Sequence, residues 1–258
     1  MKIIFIGSTD FSLSILQNFH RVHRVDGVIT SMPKPRGRGL KETVPGIARW
    51  AESNGLTVYM PEDPNSGSFI TEQAAMAPDL YVLAAYGRIL QRELLDVPRL
   101  GGINIHPSLL PRYRGAAPIQ RAILAGDEKT GVTIIFMDEK IDHGEMIAQR
   151  SIAIEADDDY GSLASKLADL GASMLIDILP AVEAGTCPRS RQEGEVSYAP
   201  KLGKEEMLID WNCPARAIHD RIRALSPLPG ARTRLRDKEL ILLRSEIGSK
   251  TLAPGALS

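Results

Sequence analysis

The sequence contains little that would point to a disulfide framework, a metal centre or a membrane anchor. Cys187 and Cys213 are its only cysteines, too few for a disulfide framework or a zinc site, which fits a reducing cytosol. No stretch of about 18 apolar residues could cross a membrane. The apolar run at residues 3–6 is far too short for a signal peptide. We therefore expect a soluble, cytoplasmic protein that binds no metal and does not enter a membrane.

A dinucleotide-binding glycine motif is also missing. The apolar run closes on Gly7 and is followed by the helix-start signal Ser8-Thr9-Asp10, so a strand, a turn and a helix are predicted. Gly7 is, however, the only glycine before Gly27, and the G-x-G-x-x-G cradle for a pyrophosphate is absent. This argues against NAD as a cofactor.

The chain has no large excess of either charge. Its formal net charge is −1, so any RNA binding must come from local basic patches. Residues 212–258 carry nine Lys/Arg against four Asp/Glu, a net of +5, which leaves −6 for the remainder. A basic tail on an acidic body is compatible with RNA contact and equally with a solvated surface.

The pattern of elements predicts an α/β protein with two unequal domains. At 258 residues and 43% apolar content, the chain can bury one full core and a smaller appendage. Strands alternate with helices, which predicts a Rossmann-like, mostly parallel sheet with helices on both faces. Residues 185–203 are rich in Gly, Pro, Ser and charge and read as a linker. We therefore expect domains at residues 1–184 and 204–258.

The most informative stretch is residues 101–119. Side chains alternate in a strand, so Asn104 and His106 share one face while Ile103 and Ile105 share the other. Pro107 ends the strand, and the polar pair emerges at the edge where open α/β sheets bind ligands. Taken alone, such a pair more often only caps a strand end.

Three other segments hold candidate residues whose interpretation stays open on composition alone. Tyr86-Gly87 follows a buried strand and could contact a ligand or form an ordinary turn. Asp142 lies in an acidic turn after another strand. Residues 31–45 read as a mobile basic loop, either a solvated connection or a phosphate-binding one, with basic residues Lys34, Arg36, Arg38 and Lys41.

Residues 101–123, continued through Gly131-Val132-Thr133 to Asp142-His143-Gly144, closely resemble methionyl-tRNA formyltransferases. The resemblance implies 10-formyltetrahydrofolate as co-substrate and Asn104, His106 and Asp142 as the catalytic trio. It implies that donor binding involves the turn Tyr86-Gly87 and the folate signature Ser108, Leu109, Leu110 and Pro111. The family usually has Thr where this chain has His143, which could perturb the Asp142 carboxylate.

The resemblance also concerns the acceptor, initiator methionyl-tRNA. Gly37-Arg38-Gly39 stands where the family carries a loop that enters the tRNA acceptor end. Arg38 is then the main RNA contact, with Lys34, Arg36 and Lys41 available for phosphates. Residues 198–201 match a short segment that precedes a small oligonucleotide-binding-like β domain in the family. Since the chain stops at Ser258, before family members usually end, we expect that domain to be partial.

The resemblance implies an enzyme that formylates the methionyl α-amino group of initiator tRNA, and we expect it to be a monomer. Asn104 would stabilise an oxyanion, His106 would shuttle protons and Asp142 would orient the imidazole. Two alternatives remain open. The chain could formylate another amine, on an amino-sugar nucleotide or glycinamide ribonucleotide, or it could be an inactive, truncated homologue that binds folate or RNA.

Overall fold

The computed structural model describes residues 1–36 and 41–248. The strands are β1 (Ile3–Gly7), β2 (Gly27–Ile29), β3 (Lys34–Arg36), β4 (Lys41–Thr43), β5 (Thr57–Tyr59), β6 (Leu80–Ala84), β7 (Gly102–His106), β8 (Lys129–Phe136), β9 (Met146–Ala153), β10 (Ala231–Leu235) and β11 (Lys238–Leu242). The helices are α1 (Asp10–His20), α2 (Gly46–Ser53), α3 (Gly67–Met76), α4 (Arg92–Leu95), α5 (Pro118–Leu124), α6 (Tyr160–Glu183) and α7 (Ala215–Leu225).

Seven of the strands in the described part of the chain form one mixed sheet, in the order β5-β2-β1-β6-β7-β8-β9. The pairs from β5 to β7 are parallel. The pairs β7–β8 and β8–β9 are antiparallel. The predicted α/β, mostly parallel fold is confirmed, and its antiparallel edge determines how the site is reached.

Both faces of the sheet are covered by helices. The central strand β1 is buried along its whole length, and its side chains alternate between two cores. Ile3 and Phe5 pack with residues of α1 and α6 on one face. Ile4 and Ile6 pack with Phe69 of α3 and with α4 on the other face. Burial on both faces explains why β1 reads as a continuous apolar run.

The C-terminal part is small and packs on the main body. Helix α7 packs against α5, and the antiparallel hairpin β10–β11 follows it. A separate apolar cluster joins the two, with Ile209, Ile222, Leu225 and Ala231 as its buried members. The hairpin begins at Ala231.

The predicted mobile basic loop contains a regular element. Strand β3 pairs antiparallel with β4, with Lys34 opposite Thr43 and Arg36 opposite Lys41. A Pro/Gly-rich composition predicted an irregular loop over residues 31–45. Pro35 is compatible with this short pair because both of its strands are edges, where a missing backbone N–H is tolerated.

Candidate active site

A cavity of about 440 Å³ lies over β6 and β7. Its volume is within the range of about 300 to 1,000 Å³ that is usual for small-molecule sites. One side is formed by residues 85–90, which follow β6, and by residues 137–142, which follow β8. The other side includes Phe11, Ile119 and Tyr160, from α1, α5 and α6. Burial raises the pKa of the Tyr160 hydroxyl, and so does the Asp10 carboxylate.

Asn104 and His106 enter this cavity from β7. Ile103 and Ile105 are fully buried in the core formed with α1 and α6, which leaves the alternate face of the strand to the polar pair. Asn104 is 8% exposed and His106 is 4% exposed, so both work in a site largely closed to water. The predicted alternation along this strand is confirmed.

Asp142 reaches the same cavity by a longer route. Because β8 runs antiparallel to β7, its last residue, Phe136, lies opposite Ile103, near the start of β7. The chain must then fold back toward His106. Gly144 makes this possible, since a Cβ there would lie 1.7 Å from the Phe136 carbonyl oxygen. Asp142 itself has φ +49°, a left-handed conformation that Asp tolerates better than most residues.

The Asp142 carboxylate connects the three groups. Asn104 Nδ2 donates to Asp142 Oδ1 at 3.0 Å. His106 Nδ1 lies 3.5 Å from the same oxygen, an ion pair if the imidazole is protonated. The Gly115 backbone N–H donates to Asp142 Oδ2 at 2.8 Å. Both carboxylate oxygens are therefore held, and the side chain has one defined orientation.

The orientation of the imidazole follows from its other nitrogen. His106 Nε2 lies 2.9 Å from the Tyr113 carbonyl oxygen. A carbonyl oxygen only accepts, so Nε2 must carry a hydrogen. In the neutral imidazole the lone pair is then on Nδ1, the nitrogen that faces Asp142. Any proton that His106 takes up must arrive at Nδ1.

The turn Tyr86-Gly87 lines the cavity beside the trio, and its contact with a ligand stays a prediction. It begins at Ala85, with φ +46°, and continues through Gly87, with φ +79°. The Tyr86 ring is buried, which raises the pKa of its hydroxyl. Ile89, Leu90 and Met137 extend this side as an apolar wall.

The sequence is similar to known families and proteins. The Formyl transferase family model matches residues 1–179, and the Formyl transferase, C-terminal domain model matches residues 201–257. Methionyl-tRNA formyltransferase from Macrococcus caseolyticus is 42% identical over 257 residues, covering 99% of this chain and 83% of that protein. The enzyme of the same name from Halorhodospira halophila is 47% identical over 237 residues, covering 91% and 76%.

The chain belongs to the methionyl-tRNA formyltransferase family. The fold agrees with this membership. A sugar N-formyltransferase from a Shewanella species superposes with a TM-score of 0.74 at 21% identity, covering 96% of this chain and 99% of that one. At that identity the likeness concerns the fold alone.

The family's Ser-Leu-Leu-Pro turn lies outside the cavity lining. Ser108 is fully buried, and its hydroxyl donates to the Arg112 carbonyl at 2.7 Å. Thr133 of β8 donates to the Ser108 carbonyl and accepts from the Leu110 N–H. Contacts with Thr133 thus tie the turn formed by Ser108, Leu109, Leu110 and Pro111 to β8. Their assignment to donor binding stays a prediction.

The histidine that departs from the family pattern points away from the trio. His143 Nδ1 lies 2.8 Å from Asp138 Oδ2, and both side chains are well exposed, at 47% and 40%. Asp142 instead bonds with Asn104 and Gly115, on the cavity side. His143 therefore pairs with a different carboxylate from the one it was expected to perturb.

The residues predicted to contact the tRNA belong to the predicted basic loop. Arg38 lies outside the described residues. Lys34 and Arg36 belong to β3, and Lys41 belongs to β4. Their RNA-binding role stays a prediction.

Sequence reasoning missed the contribution of the predicted linker, here called the connector (residues 185–203). It runs along residues 113–117, whose backbone holds His106 and Asp142. Ser197 Oγ accepts from the Tyr113 N–H, at 2.9 Å. The Ala199 carbonyl accepts from the N–H groups of Ala116 and Ala117, at 2.9 and 3.0 Å. Gly115 is the sequence feature that could have indicated this contact, because its φ is +119° and a Cβ there would lie 3.0 Å from the Ala199 carbonyl oxygen.

The described residues hold neither a metal-binding cluster nor a helix that could span a bilayer. No group of three or more His, Cys, Asp or Glu side chains in residues 1–36 and 41–248 is arranged to hold a metal ion. Over the same residues, no helix combines the length and apolar character needed to span a bilayer.

Proposed function

We propose that this protein transfers the formyl group of 10-formyltetrahydrofolate to the α-amino group of methionyl initiator tRNA. The observation that carries the proposal is the convergence of Asn104 and His106 on the Asp142 carboxylate inside a cavity of suitable size. Membership in the methionyl-tRNA formyltransferase family identifies the formyl donor and the acceptor of the proposed reaction.

The reaction moves a formyl carbon from the donor nitrogen to the acceptor nitrogen. The amine nitrogen of the acceptor attacks the formyl carbon, whose oxygen becomes an oxyanion. The bond from this carbon to the donor nitrogen then breaks, and one proton passes from the acceptor nitrogen to the donor nitrogen. Asn104 has two amide hydrogens and gives one to Asp142, so the second is available to the oxyanion. A preorganised donor of this kind contributes about 3 to 4 kcal/mol.

His106 is suited to moving the proton. Its Nε2–H is bound to the Tyr113 carbonyl, so proton uptake occurs at Nδ1. The imidazolium formed there faces the Asp142 carboxylate at 3.5 Å, which stabilises the positive charge. Asp142 also fixes the Asn104 amide. The three residues thus act as one unit.

The cavity beside the trio suits a flat, partly polar ring. Its wall is apolar at Ile89, Leu90 and Met137, and the backbone of Tyr86 and Gly87 offers polar groups at its edge. We assign donor binding to this side. Ser108, Leu109, Leu110 and Pro111 support it indirectly, because their turn holds the segment that leads to Tyr113 and Gly115.

The acceptor assignment rests on family membership and on charge. Relatives at 42% and 47% identity are methionyl-tRNA formyltransferases, whereas the sugar N-formyltransferase resembles this chain at only 21%. Arg38, with Lys34, Arg36 and Lys41 near it in the sequence, would contact the tRNA. We further propose cytoplasmic action, where initiator tRNA is charged, and a monomer, because one chain supplies the whole trio and cavity.

We also propose a functional division of the chain. Residues 1–184 carry the trio and the sheet, residues 185–203 form the connector, and residues 204–258 form the C-terminal part. The separate apolar cluster around Ile209 and Ile222 supports the last boundary.

A formyl-transfer assay tests the proposal. The purified 258-residue protein would receive 10-formyltetrahydrofolate with initiator Met-tRNA, glycinamide ribonucleotide or a nucleotide amino sugar in parallel. We expect transfer to Met-tRNA alone. Transfer to either other acceptor would keep the chemistry and overturn the acceptor. Folate binding without transfer to any acceptor would overturn the enzymatic assignment.

A further inference from the structure

Gln192 of the connector is hydrogen-bonded at both ends of its side-chain amide, although it lies outside the cavity lining. Its Nε2 donates to the carbonyl oxygens of Asp142, at 2.9 Å, and Gly144, at 3.0 Å. Its Oε1 accepts from Arg114 Nε at 3.1 Å and Nη2 at 2.6 Å. An amide has two donor hydrogens and two acceptor positions, and all four are used. The side chain therefore cannot flip without losing every bond.

Arg114 is an unusual partner for a glutamine. Its side chain is buried, at 9% exposure for the residue, yet within residues 1–36 and 41–248 no carboxylate lies at ion-pair distance from it. Burying a guanidinium is costly unless its hydrogen bonds are well made. The Arg114 backbone is bound to the connector as well, through Ser197 and Ala199. This cost indicates that the Arg114–Gln192 contact has a purpose beyond packing.

The Arg114–Gln192 contact affects the position of Asp142. This residue has a left-handed backbone, and its carboxylate must meet Asn104, His106 and Gly115 at once. The three contacts fix the side chain from the cavity side. Gln192 fixes the backbone from the opposite side, by holding the carbonyls on either side of His143. Within residues 1–36 and 41–248, Gln192 is the side chain that donates to these two carbonyl oxygens, so it holds the loop that follows β8.

We propose that Gln192 is a positioning residue for formyl transfer. It keeps the Asp142 carboxylate in register with Asn104 and His106, and Arg114 keeps Gln192 in place. The connector is then a working part of the active site. This inference rests on the proposed function, since its effect is defined for the transfer reaction.

Two substitutions test the role. Gln192→Leu keeps much of the volume and removes all four hydrogen bonds. Gln192→Glu keeps an acceptor for Arg114 but replaces the donor by an oxygen that faces two carbonyls. We expect each to lower kcat by about 10- to 100-fold, because small misplacements of catalytic groups have effects of that size. In each variant the KM values for the folate donor and for Met-tRNA should change little, because the lost interaction stabilises the transition state and not the bound substrates.

A matched control and a fold measurement accompany these variants. Glu193→Gln alters the exposed neighbour in the same segment and should leave kcat and the thermal unfolding midpoint unchanged. Gln192→Glu should keep the midpoint close to that of the wild type, because its carboxylate faces the Arg114 guanidinium. If Gln192→Leu fails to fold, Gln192→Glu decides the question.

A double-mutant cycle separates positioning from general stabilisation. In an Asp142→Asn background, Gln192→Glu should cause no further loss of kcat, because the group it positions is already disabled. Two results would overturn the inference. One is a wild-type kcat in both Gln192 variants. The other is that Gln192→Glu lowers kcat by the same factor in the Asp142→Asn background as in the wild type. Absence of transfer by the wild type and by Glu193→Gln would instead defeat the proposed function.

Discussion

At the scale of single residues, the site depends on one carboxylate with two occupied oxygens. Asp142 Oδ1 accepts from Asn104 and faces His106, while Oδ2 accepts from the Gly115 N–H. Asn104 thereby has a fixed amide plane, with one hydrogen directed to Asp142 and one left for the substrate. Its contribution to the reaction can be measured separately from its contribution to folding.

Asn104→Ala should lower kcat by about 100- to 1,000-fold, because it removes the donor assigned to the oxyanion. The side chain is small and at the cavity surface, so the thermal unfolding midpoint should change little. Steady-state kinetics with Met-tRNA and thermal unfolding of the same preparation check both statements. A folded variant with the wild-type rate would remove Asn104 from the mechanism.

Gly144→Ala should lower kcat by about 100-fold, the effect of a misplacement of about 1 Å. A Cβ would lie 1.7 Å from the Phe136 carbonyl oxygen, a backbone atom, so the loop that carries Asp142 must move. Gly67→Ala is the matched control, because a Cβ at the start of α3 meets nothing within 4 Å. Equal rates in the two variants would show that the fold-back geometry does not matter.

At the scale of elements, the start of helix α6 is one place where the C-terminal part contacts the main body. Asp159 caps its N-terminus by accepting from the Ser162 N–H. Asp158 has another partner set, with Lys166 and Ser162 at its carboxylate. Arg223 of α7 donates to the Asp158 carbonyl at 2.6 Å. The start of α6 therefore joins both parts of the molecule.

The Asp158 carboxyl makes stability depend on pH. Burial raises its pKa, but hydrogen bonds from Lys166, Ser162 and the Glu155 N–H lower it by more, so the pKa lies below its ordinary value of 3.8. A lowered pKa in the folded state means that the stabilisation is complete above 3.8 and is lost as the pH falls through the lowered value.

Asp158→Asn should therefore reduce the free energy of unfolding at neutral pH, and its difference from the wild type should shrink below pH 3.8. Denaturant unfolding at a series of pH values measures this difference. Asp157→Asn changes the exposed neighbour and should stay within about 0.5 kcal/mol of the wild type. A constant gap at every pH would show that ionisation of Asp158 is not the source.

At the scale of the whole molecule, charge is divided between an acidic body and a basic C-terminal segment. Residues 212–258 have a net charge of +5 and the remainder −6, with a local basic group at residues 34–41. Acceptor binding through such groups weakens as salt rises, because condensed cations are no longer released as favourably. Donor binding in an apolar cavity should respond much less.

Arg38→Ala should raise the KM for Met-tRNA and flatten its dependence on salt, with little effect on the KM for the folate donor. Kinetics at several salt concentrations provide the comparison. Arg24→Ala removes the same charge at a highly exposed position outside the loop and serves as the control. Unchanged Met-tRNA kinetics in Arg38→Ala would remove the loop from acceptor recognition.

The sequence predicts this molecule well where local periodicity decides the structure. Asn104 and His106 share a face because strands repeat every two residues. The approach of Asp142 was expected only from the family resemblance, because it depends on an antiparallel β8 and on the contact of Gly144 with Phe136, which local periodicity does not encode. Gly/Ser-rich composition predicted a linker at residues 185–203, yet composition carries no information on backbone bonds to distant residues such as Tyr113.

The path of the connector determines when the active site can form during synthesis of the chain. Chains emerge from the ribosome with the N-terminus first, and domains fold as they appear. Asn104, His106 and Asp142 leave the exit tunnel well before Gln192 and Ala199, which hold their surroundings in place. The nascent chain can build its sheet early, but its active site is assembled only when the connector has been synthesised.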